Sequence, residues 1–575
     1  MRKNIVTILN FVRAEDPRWD QNALYYTVRN QLKLCMDSHM PYVYHLQYDA
    51  MIQERYISLF RDNPDPNREL GVWFELCREL IEKVGLEWKG QENYRWDWHV
   101  CPDMLMAYSI SERKMIIDEV MRQFHELFGY YPRSVGSWLL DGDSLQYLKE
   151  KYNIAAAIIC REQYGTDGYT LWGGYYNQAY YPCRENALCP AQTREEQIEV
   201  PVFRMLGPDP IYQYENGLDE NLNPSPIQRV MTLEPAWKSG QSPDWVDWFL
   251  HCNFEEENLG FGFTQTGQEN SFLWDTQKDG LAMQLFKIRE GAESGRWEVM
   301  KLEDAGEWFS SQYTMTPSTA FTALTDWDKS QNQQSVWFDS RNYRANIYVK
   351  NKSIFIRDLF LFDERWPERY RKEPARGDNA IYENLPIVDG YRWSGDGIQA
   401  GFHFVIAGSC DDLDVRILKV GNKPISNPDT ITDTINKQTE KQNNSLYITC
   451  EARDKTFLIV FDEEEIQILE AERVGLELLL RAHDFCDTWI KDIIHCPGHI
   501  LADDCDIPDE AGAVRDSHTS VDNRTAPDYR GAGLDYRHRE YSYRLMTSPV
   551  VRETYGYRIS PDKDGKILLR PEKQY

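Results

Sequence analysis

The 575-residue chain lacks the patterns that announce several common chemistries. None of its twelve cysteines forms a Cys-x-x-Cys pair, so neither a thioredoxin-like motif nor a zinc ribbon is written in it. Scattered thiols in a chain this long are expected to be reduced and buried rather than a disulfide framework. HExxH, GxGxxG and GxxxxGK[ST] are all missing, which removes the zincin, dinucleotide and P-loop readings. Cys486, His495, Cys496 and His499 cluster near a chain bend, but at irregular spacing for a zinc site. No run reaches the roughly 18 apolar residues of a membrane helix. Basic residues are scarce: Lys and Arg number 64 against 92 Asp and Glu, a formal net charge of −28. Such a surface repels phosphate backbones and anionic lipid heads, so neither nucleic acid nor a membrane is an expected partner.

Apolar mass is plentiful, at 42% hydrophobic and 13% aromatic residues, and the chain can bury large cores. Many rings stand beside Gly, Asn, Gln and Asp, a setting suited to flat, hydroxylated ligands such as oligo- or polysaccharides. Met1-Arg2-Lys3 followed by Ile5–Val12 mimics a signal peptide only weakly, because Asn4 and Asn10 interrupt it and no small-residue cleavage site follows. A first buried strand and a cytoplasmic location are the expectation, with a secreted mature form left open. The oligomeric state, a homo-oligomer included, is also open.

Hydrophobic period divides the chain. Up to residue 320, short apolar runs alternate with helical stretches. Strands are expected at Asn4–Val12, Pro41–His45, Leu70–Phe74, Ser134–Leu140, Ala155–Cys160 and Val200–Met205. Helices are expected at Asn22–Ser38, Ser109–Phe128 and Asp143–Lys151, the second with a Ser109/Glu112 capping box and a Gly129 stop. This alternation predicts a TIM-like β/α barrel of seven or eight strands over 1–320. From 321 to 575 period-2 alternation takes over. Tyr343–Val349 and Ile354–Phe362 flank a hairpin, as do Ser445–Ala452 and Thr456–Phe461, which predicts an all-β sandwich. Residues 426–444 read as a long polar loop.

Catalytic residues of such barrels sit just beyond the strands' C-terminal ends. Acids in those places are Glu15, Glu75, Asp97, Asp141, Asp167, Glu234 and Glu269, with His99 beside Asp97. Asp141 ends GSWLLD ahead of a helix whose N-terminal dipole would keep it ionised, although it could equally cap that helix; Asp143 is read as a cap. The segment Tyr164–Tyr181 carries seven aromatics spaced by glycines. Trp172, Tyr175 and Tyr176 in it, together with Trp138, are candidate sugar-stacking residues.

Phe128–Ile154 (FGYYPRSVGSWLLDGDSLQYLKEKYNI) resembles the barrel region shared by polysaccharide deacetylases and glycoside hydrolase families 57 and 38. Trp138-Leu139-Leu140-Asp141 is similar to the family 57 W-x-x-E strand end, with Asp for Glu. Thr266-Gly267-Gln268-Glu269-Asn270 is similar to its D-G-E-N motif, out of register. GSWLLD, TDGYTLWGGYYNQAYYPCR and TGQEN also resemble a bacterial two-domain group within the same superfamily. The resemblance implies a carbohydrate-active enzyme, a glycoside hydrolase with Asp141 as nucleophile or stabiliser and Glu269 as general acid. Asp97, His99, Asp167, Glu15, Glu75 and Glu234 would bind substrate, without cofactor or metal. The deacetylase metal motifs are absent: ILNFVRAED stands in place of T-F-D-D-G, and ELGVWFE in place of the histidine pair. A deacetylase-like enzyme with unexpected ligands and a carbohydrate-binding protein without catalysis are the alternatives.

Overall fold

The computed structural model describes residues 2–161, 173–225, 229–328, 332–376, 384–406, 413–422, 445–452 and 455–469, with strands beyond that given below. The polar loop 426–444 and the Cys486–His499 cluster lie outside the described residues.

Strand β1 (Asn4–Val12) is buried from Ile5 onward, as expected of a parallel strand covered on both faces. It pairs in parallel with β2 (Tyr42–Leu46), which leads through β3 (Arg68–Trp73), β4 (Ser134–Ser137) and β5 (Ala156–Ile159). β6 (Ala179–Tyr180) is a short antiparallel edge on β7 (Val202–Arg204), and β7 pairs in parallel with β5. β8 (Gly262–Thr266) and the two-residue β9 (Glu298–Val299) complete the other side of β1. The order is β6-β7-β5-β4-β3-β2-β1-β8. At the seam Phe203 and Phe263 meet at 4.7 Å and Gln265 Oε1 accepts from the Leu206 N–H at 3.1 Å, so the barrel is nearly closed.

Local sequence sets the helices between the strands. The helix Gln21–Ser38 starts at an Asp20 cap and turns Leu24, Val28, Leu32 and Cys35 inward. The helix Ile110–Phe128 has the expected Ser109/Glu112 box, and Gly129 stops it at φ 80°. β4 is shorter than expected. The chain leaves the ladder at Trp138, whose indole turns to meet Glu75.

The barrel interior is not simply apolar. His45 on β2 lies in space that Gly71 and Gly136 leave open; a Cβ at Gly71 would stand 2.5 Å from the His45 ring. Burial pushes the His45 pKa down to about 3, so the ring is neutral and exchanges a hydrogen bond with Ser134 Oγ at 2.8 Å. Ser134 in turn donates to Glu69. Above this layer Phe11 stacks on Trp73 at 3.9 Å, and Trp138 meets both edge-on.

The second part is antiparallel. One sheet runs β10 (Thr319–Ala323), β11 (Gln334–Asp339), β12 (Tyr343–Lys350), β13 (Ser353–Leu361), β15 (Gly401–Ile406), β20 (Val474–Leu479), β23 (Gly556–Ser560) and β22 (Ser548–Glu553), with β14 (Leu385–Asp389) beside β13. The other runs β16 (Val415–Gly421), β17 (Leu446–Ala452), β18 (Lys455–Phe461), β19 (Glu465–Leu469), β24 (Lys566–Glu572) and β21 (Ser542–Leu545). The β12–β13 hairpin turns through Asn351 and Lys352, both at positive φ, as a two-residue turn requires. Inner-face residues of the two sheets, such as Phe338, Ile347 and Phe404 against Ile448 and Ile459, share one core.

The first sheet is buried on its other face as well. Along β11, Val336 and Phe338 enter the sandwich core, while Trp337 joins the barrel's core with Phe321, Tyr348 and Phe360. At that contact Arg344 and Asp358 form a fully buried ion pair at 2.7 Å, and the Tyr214 hydroxyl donates to Asp358 at 2.8 Å. Removing one partner strands a buried charge. We expect Arg344→Met to cost about 3–5 kcal/mol in urea unfolding followed by tryptophan fluorescence, and Arg344→Met/Asp358→Leu to recover much of it.

Candidate active site

β1 ends at Val12, and the next residue points a guanidinium into the barrel mouth. Arg13 has a side chain only 2% exposed. Its Nη2 lies 2.6 Å from Glu75 Oε2 and 2.8 Å from Glu269 Oε2. Two oxygens held that close to one nitrogen are no more than 5.4 Å apart, the sum of those distances. Nη1 donates to Ser271 Oγ at 3.0 Å, and the Trp96 ring lies under the guanidinium at 4.0 Å. The backbone is locked too: Asn270 accepts from the Arg13 N–H at 3.0 Å and donates to the Arg13 carbonyl at 2.8 Å. Asp49 Oδ2 accepts the next two amides, Ala14 and Glu15, at 2.9 and 2.8 Å.

The two glutamates differ in environment. Glu75 Oε1 accepts the Trp138 indole N–H, so both its oxygens are engaged. Glu269 Oε2 has no aligned hydrogen bond although Arg13 is near, so that contact is ionic, and the carboxyl also takes a side-chain hydrogen bond from Ser271. Burial pushes the Glu269 pKa up to about 7; Arg13 opposes this and the Glu75 charge adds to it. Asp103 accepts the Trp96 indole at 2.9 Å and is raised well above the usual carboxylate range, by burial first and then by Glu75. Arg18, clasped by Asp16, lies 5.9 Å from the Trp96 ring and 5.6 Å from Trp98. Four acids and two arginines thus share one mouth, and burial together with the Glu75 charge favours the protonated forms of Asp103 and Glu269 there.

The other expected residues separate into three groups. On the rim, His99 Nδ1 pairs with Asp97 Oδ1 at 2.6 Å and its ring stacks on Trp98. Burial would raise the Asp97 pKa, but His99 and backbone amides outweigh it and hold the pKa low. Glu15 is tied to Arg95 and Gln21, each at 2.7 Å. Glu234 accepts from Thr232 at 2.8 Å and from Gln268, the neighbour of Glu269, at 3.1 Å.

Asp141 stands apart from this cluster. Its oxygens accept from Arg113 Nη1 at 2.9 Å, the Ser144 amide at 2.9 Å and the Ser144 hydroxyl at 2.6 Å. It is fully buried and is itself the helix cap that Asp143 was expected to be; Asp143 instead meets Arg371. The acid brought to Glu269 is Glu75.

Tyr175 and Tyr176 do not line a cleft. Tyr176 stacks on Trp337 at 3.6 Å, and the Tyr175 hydroxyl donates to the Pro317 carbonyl at 2.8 Å, so both pack against the sandwich. Asp167 and Trp172 lie outside the described residues. Sequence reasoning passed over Arg13, Trp96 and Asp103. The one signal for Arg13 in the sequence is a charged residue directly following a buried strand in NFVRAED, the same segment that offers Glu15. Among the described residues no group of three His, Cys, Asp or Glu is placed to hold a metal ion, and no helix is long and apolar enough to cross a membrane.

Residues 101–324 match a domain family of unknown function that has a solved structure, DUF3863. No curated protein matches the chain. Among solved structures it is similar to a protein from Parabacteroides distasonis provisionally named a glycoside hydrolase/deacetylase, at 17% identity and TM-score 0.49, over 66% of this chain and 92% of that one. It is also similar to a protein from Mycobacterium smegmatis provisionally named a polysaccharide deacetylase, at 10% identity and TM-score 0.32, over 54% and 91%. A GH57 branching enzyme from the archaeon Thermococcus kodakaraensis matches at 10% identity and TM-score 0.28, over 54% and 72%.

The raised Glu269 pKa makes a stability prediction. The folded state binds this proton more tightly than a free glutamate at 4.5 does, so its stabilising effect is full at low pH and fades as pH rises through about 7. Glu269→Gln keeps the neutral form at all pH. Urea midpoints at pH 5 and pH 8 should therefore differ less for Glu269→Gln than for the unaltered chain.

Proposed function

We propose that the chain is a carbohydrate-active enzyme, a glycoside hydrolase acting with retention through Glu75 and Glu269. The observation that carries this is the pair of glutamate oxygens within 5.4 Å on one arginine. Inverting glycosidases hold their carboxyl groups about 6.5–9.5 Å apart to admit a water and retaining ones about 5–5.5 Å, so the upper bound of 5.4 Å speaks against inversion. The unequal environments assign the roles. Glu75, ion-paired with Arg13 and held by Trp138, is the nucleophile. Glu269, protonated near neutrality, is the general acid.

In the first step a Glu75 oxygen forms a bond to the anomeric carbon while the glycosidic C–O bond breaks and the Glu269 proton passes to the leaving oxygen. The glycosyl ester on Glu75 carries no charge. The repulsion that raised Glu269 then vanishes, its pKa falls, and the carboxylate takes a proton from the attacking water as the ester bond breaks. The Asp97–His99 pair, Glu15 and Glu234 on the rim serve sugar hydroxyls, and Trp138 bounds the reacting centre.

A second reading is a carbohydrate-binding protein without catalysis. It is favoured by the complete burial of Glu75 and by Arg13 standing between the two acids. Trapping separates the two. An activated 2-deoxy-2-fluoro glycoside should leave a glycosyl ester on Glu75, seen by peptide mass spectrometry. Glu269→Gln should lower kcat/KM by on the order of 10²–10⁴-fold, and the unaltered enzyme should lose activity above about pH 7 as Glu269 ionises. Binding of oligosaccharide with no adduct across a panel of sugars would establish the second reading.

A further inference from the structure

The segment 362–376 leaves the sandwich sheet after β13 and crosses the barrel. Its Glu368 carboxyl accepts the Gly142 and Ala187 amides, each at 3.0 Å, and its Glu368 amide donates to the Glu185 carbonyl at 2.8 Å. Farther on, the Ala375 amide donates to the Met106 carbonyl at 2.8 Å, and the Cys101 thiol donates to the Ala375 carbonyl at 3.5 Å. Met106 and Cys101 belong to the β3–β4 connection that carries Trp96 and Asp103.

Arg113 ties the same parts together from below. It is only 1% exposed. Its Nε donates to the Tyr108 carbonyl at 2.8 Å, Nη1 to Asp141 at 2.9 Å, and Nη2 to the Tyr370 carbonyl on the crossing segment. One guanidinium therefore joins the Tyr108 turn of the β3–β4 connection, the helix cap Asp141 that follows β4 and the segment from the sandwich. From the connection the contact continues inward: the Leu76 amide donates to the Asp103 carbonyl at 2.8 Å, Asp103 accepts the Trp96 indole, and the Trp96 face supports Arg13.

We propose that segment 362–376 is a positioning element of the barrel-mouth site, acting through Arg113 and Ala375 on the connection that carries Trp96 and Asp103, so that the sandwich completes the site and Arg113 is a positioning residue. This rests on the two-glutamate reading above for its catalytic consequence only. The geometric part concerns how Trp96 is held under Arg13, and it is measured without turnover.

The test uses the full chain and follows the Trp96 indole N–H by ¹⁵N–¹H NMR, assigned with Trp96→Phe. Ala375→Pro deletes the amide that reaches Met106. Arg113→Lys keeps a charge facing Asp141 but loses the fork that spans Tyr108 and Tyr370. In both, the pH at which the Trp96 signal titrates should move by about half a unit or more. Turnover of a glycoside that the unaltered enzyme accepts should fall in kcat by on the order of 10–10²-fold, with KM changed by less than about threefold. If Arg113→Lys does not fold, Ala375→Pro decides alone. An unmoved Trp96 titration in a folded variant overturns the proposal. A moved titration in a protein that cleaves no glycoside supports the positioning role while sinking the glycosidase reading, so the two fail separately.

Discussion

A single buried guanidinium organises the mouth of this barrel. Arg13 is carried there by the first strand, and moving it out of water costs several kcal/mol unless countercharges and hydrogen bonds replace hydration. Glu75 from the end of β3 and Glu269 from the end of β8 supply the charge, and Ser271 and the Trp96 face complete the shell. Strands β1, β3 and β8 are thereby held at a common level by one side chain. The two acids also acquire different characters from it, because Glu75 has both oxygens hydrogen-bonded, one of them by Arg13, while Glu269 meets Arg13 by charge alone and takes its hydrogen bond from Ser271. Burial, with the crowding of acids round Arg13, raises the pKa values of Glu269 and Asp103.

The sandwich belongs to this arrangement because its first sheet has no solvent face where the barrel docks. Alternate residues of β11 face two different cores, and the Arg344–Asp358 pair is buried at the junction. Neutral or matched polar pairs cross the contact in place of water: Tyr214 with Asp358, Arg344 with the Gly174 carbonyl, and the Glu368 carboxyl with two barrel amides. A contact built that way tolerates little sliding, since each displaced group would lose its partner in a low-dielectric setting.

Expectation and structure agree where the signal is local. β1 runs over Asn4–Val12, the helix Ile110–Phe128 lies between its box and its glycine, and both hairpins fall where alternation and turn residues put them. They part where one residue had two uses. Asp141 satisfies both the pattern of a catalytic strand end and that of a helix cap, and the structure shows the cap, with Ser144 reaching both its oxygens and Arg113 one of them. The glycine-spaced rings suit sugar stacking and suit interface packing. For Tyr175 and Tyr176 the interface prevailed, because Trp337 and Pro317 lie against them.

The sequence by itself determined the succession of strands and helices, the change from a barrel to a sandwich and the presence of acids just beyond several strands. Period, caps and turns act over a few residues and are therefore readable in order along the chain. Only the tertiary structure decided which acids meet. Glu75 and Glu269 are 194 positions apart and are joined by Arg13, a residue that neither motif contains. Barrel closure brings the ends of non-neighbouring strands to one point, and no local pattern encodes that distance.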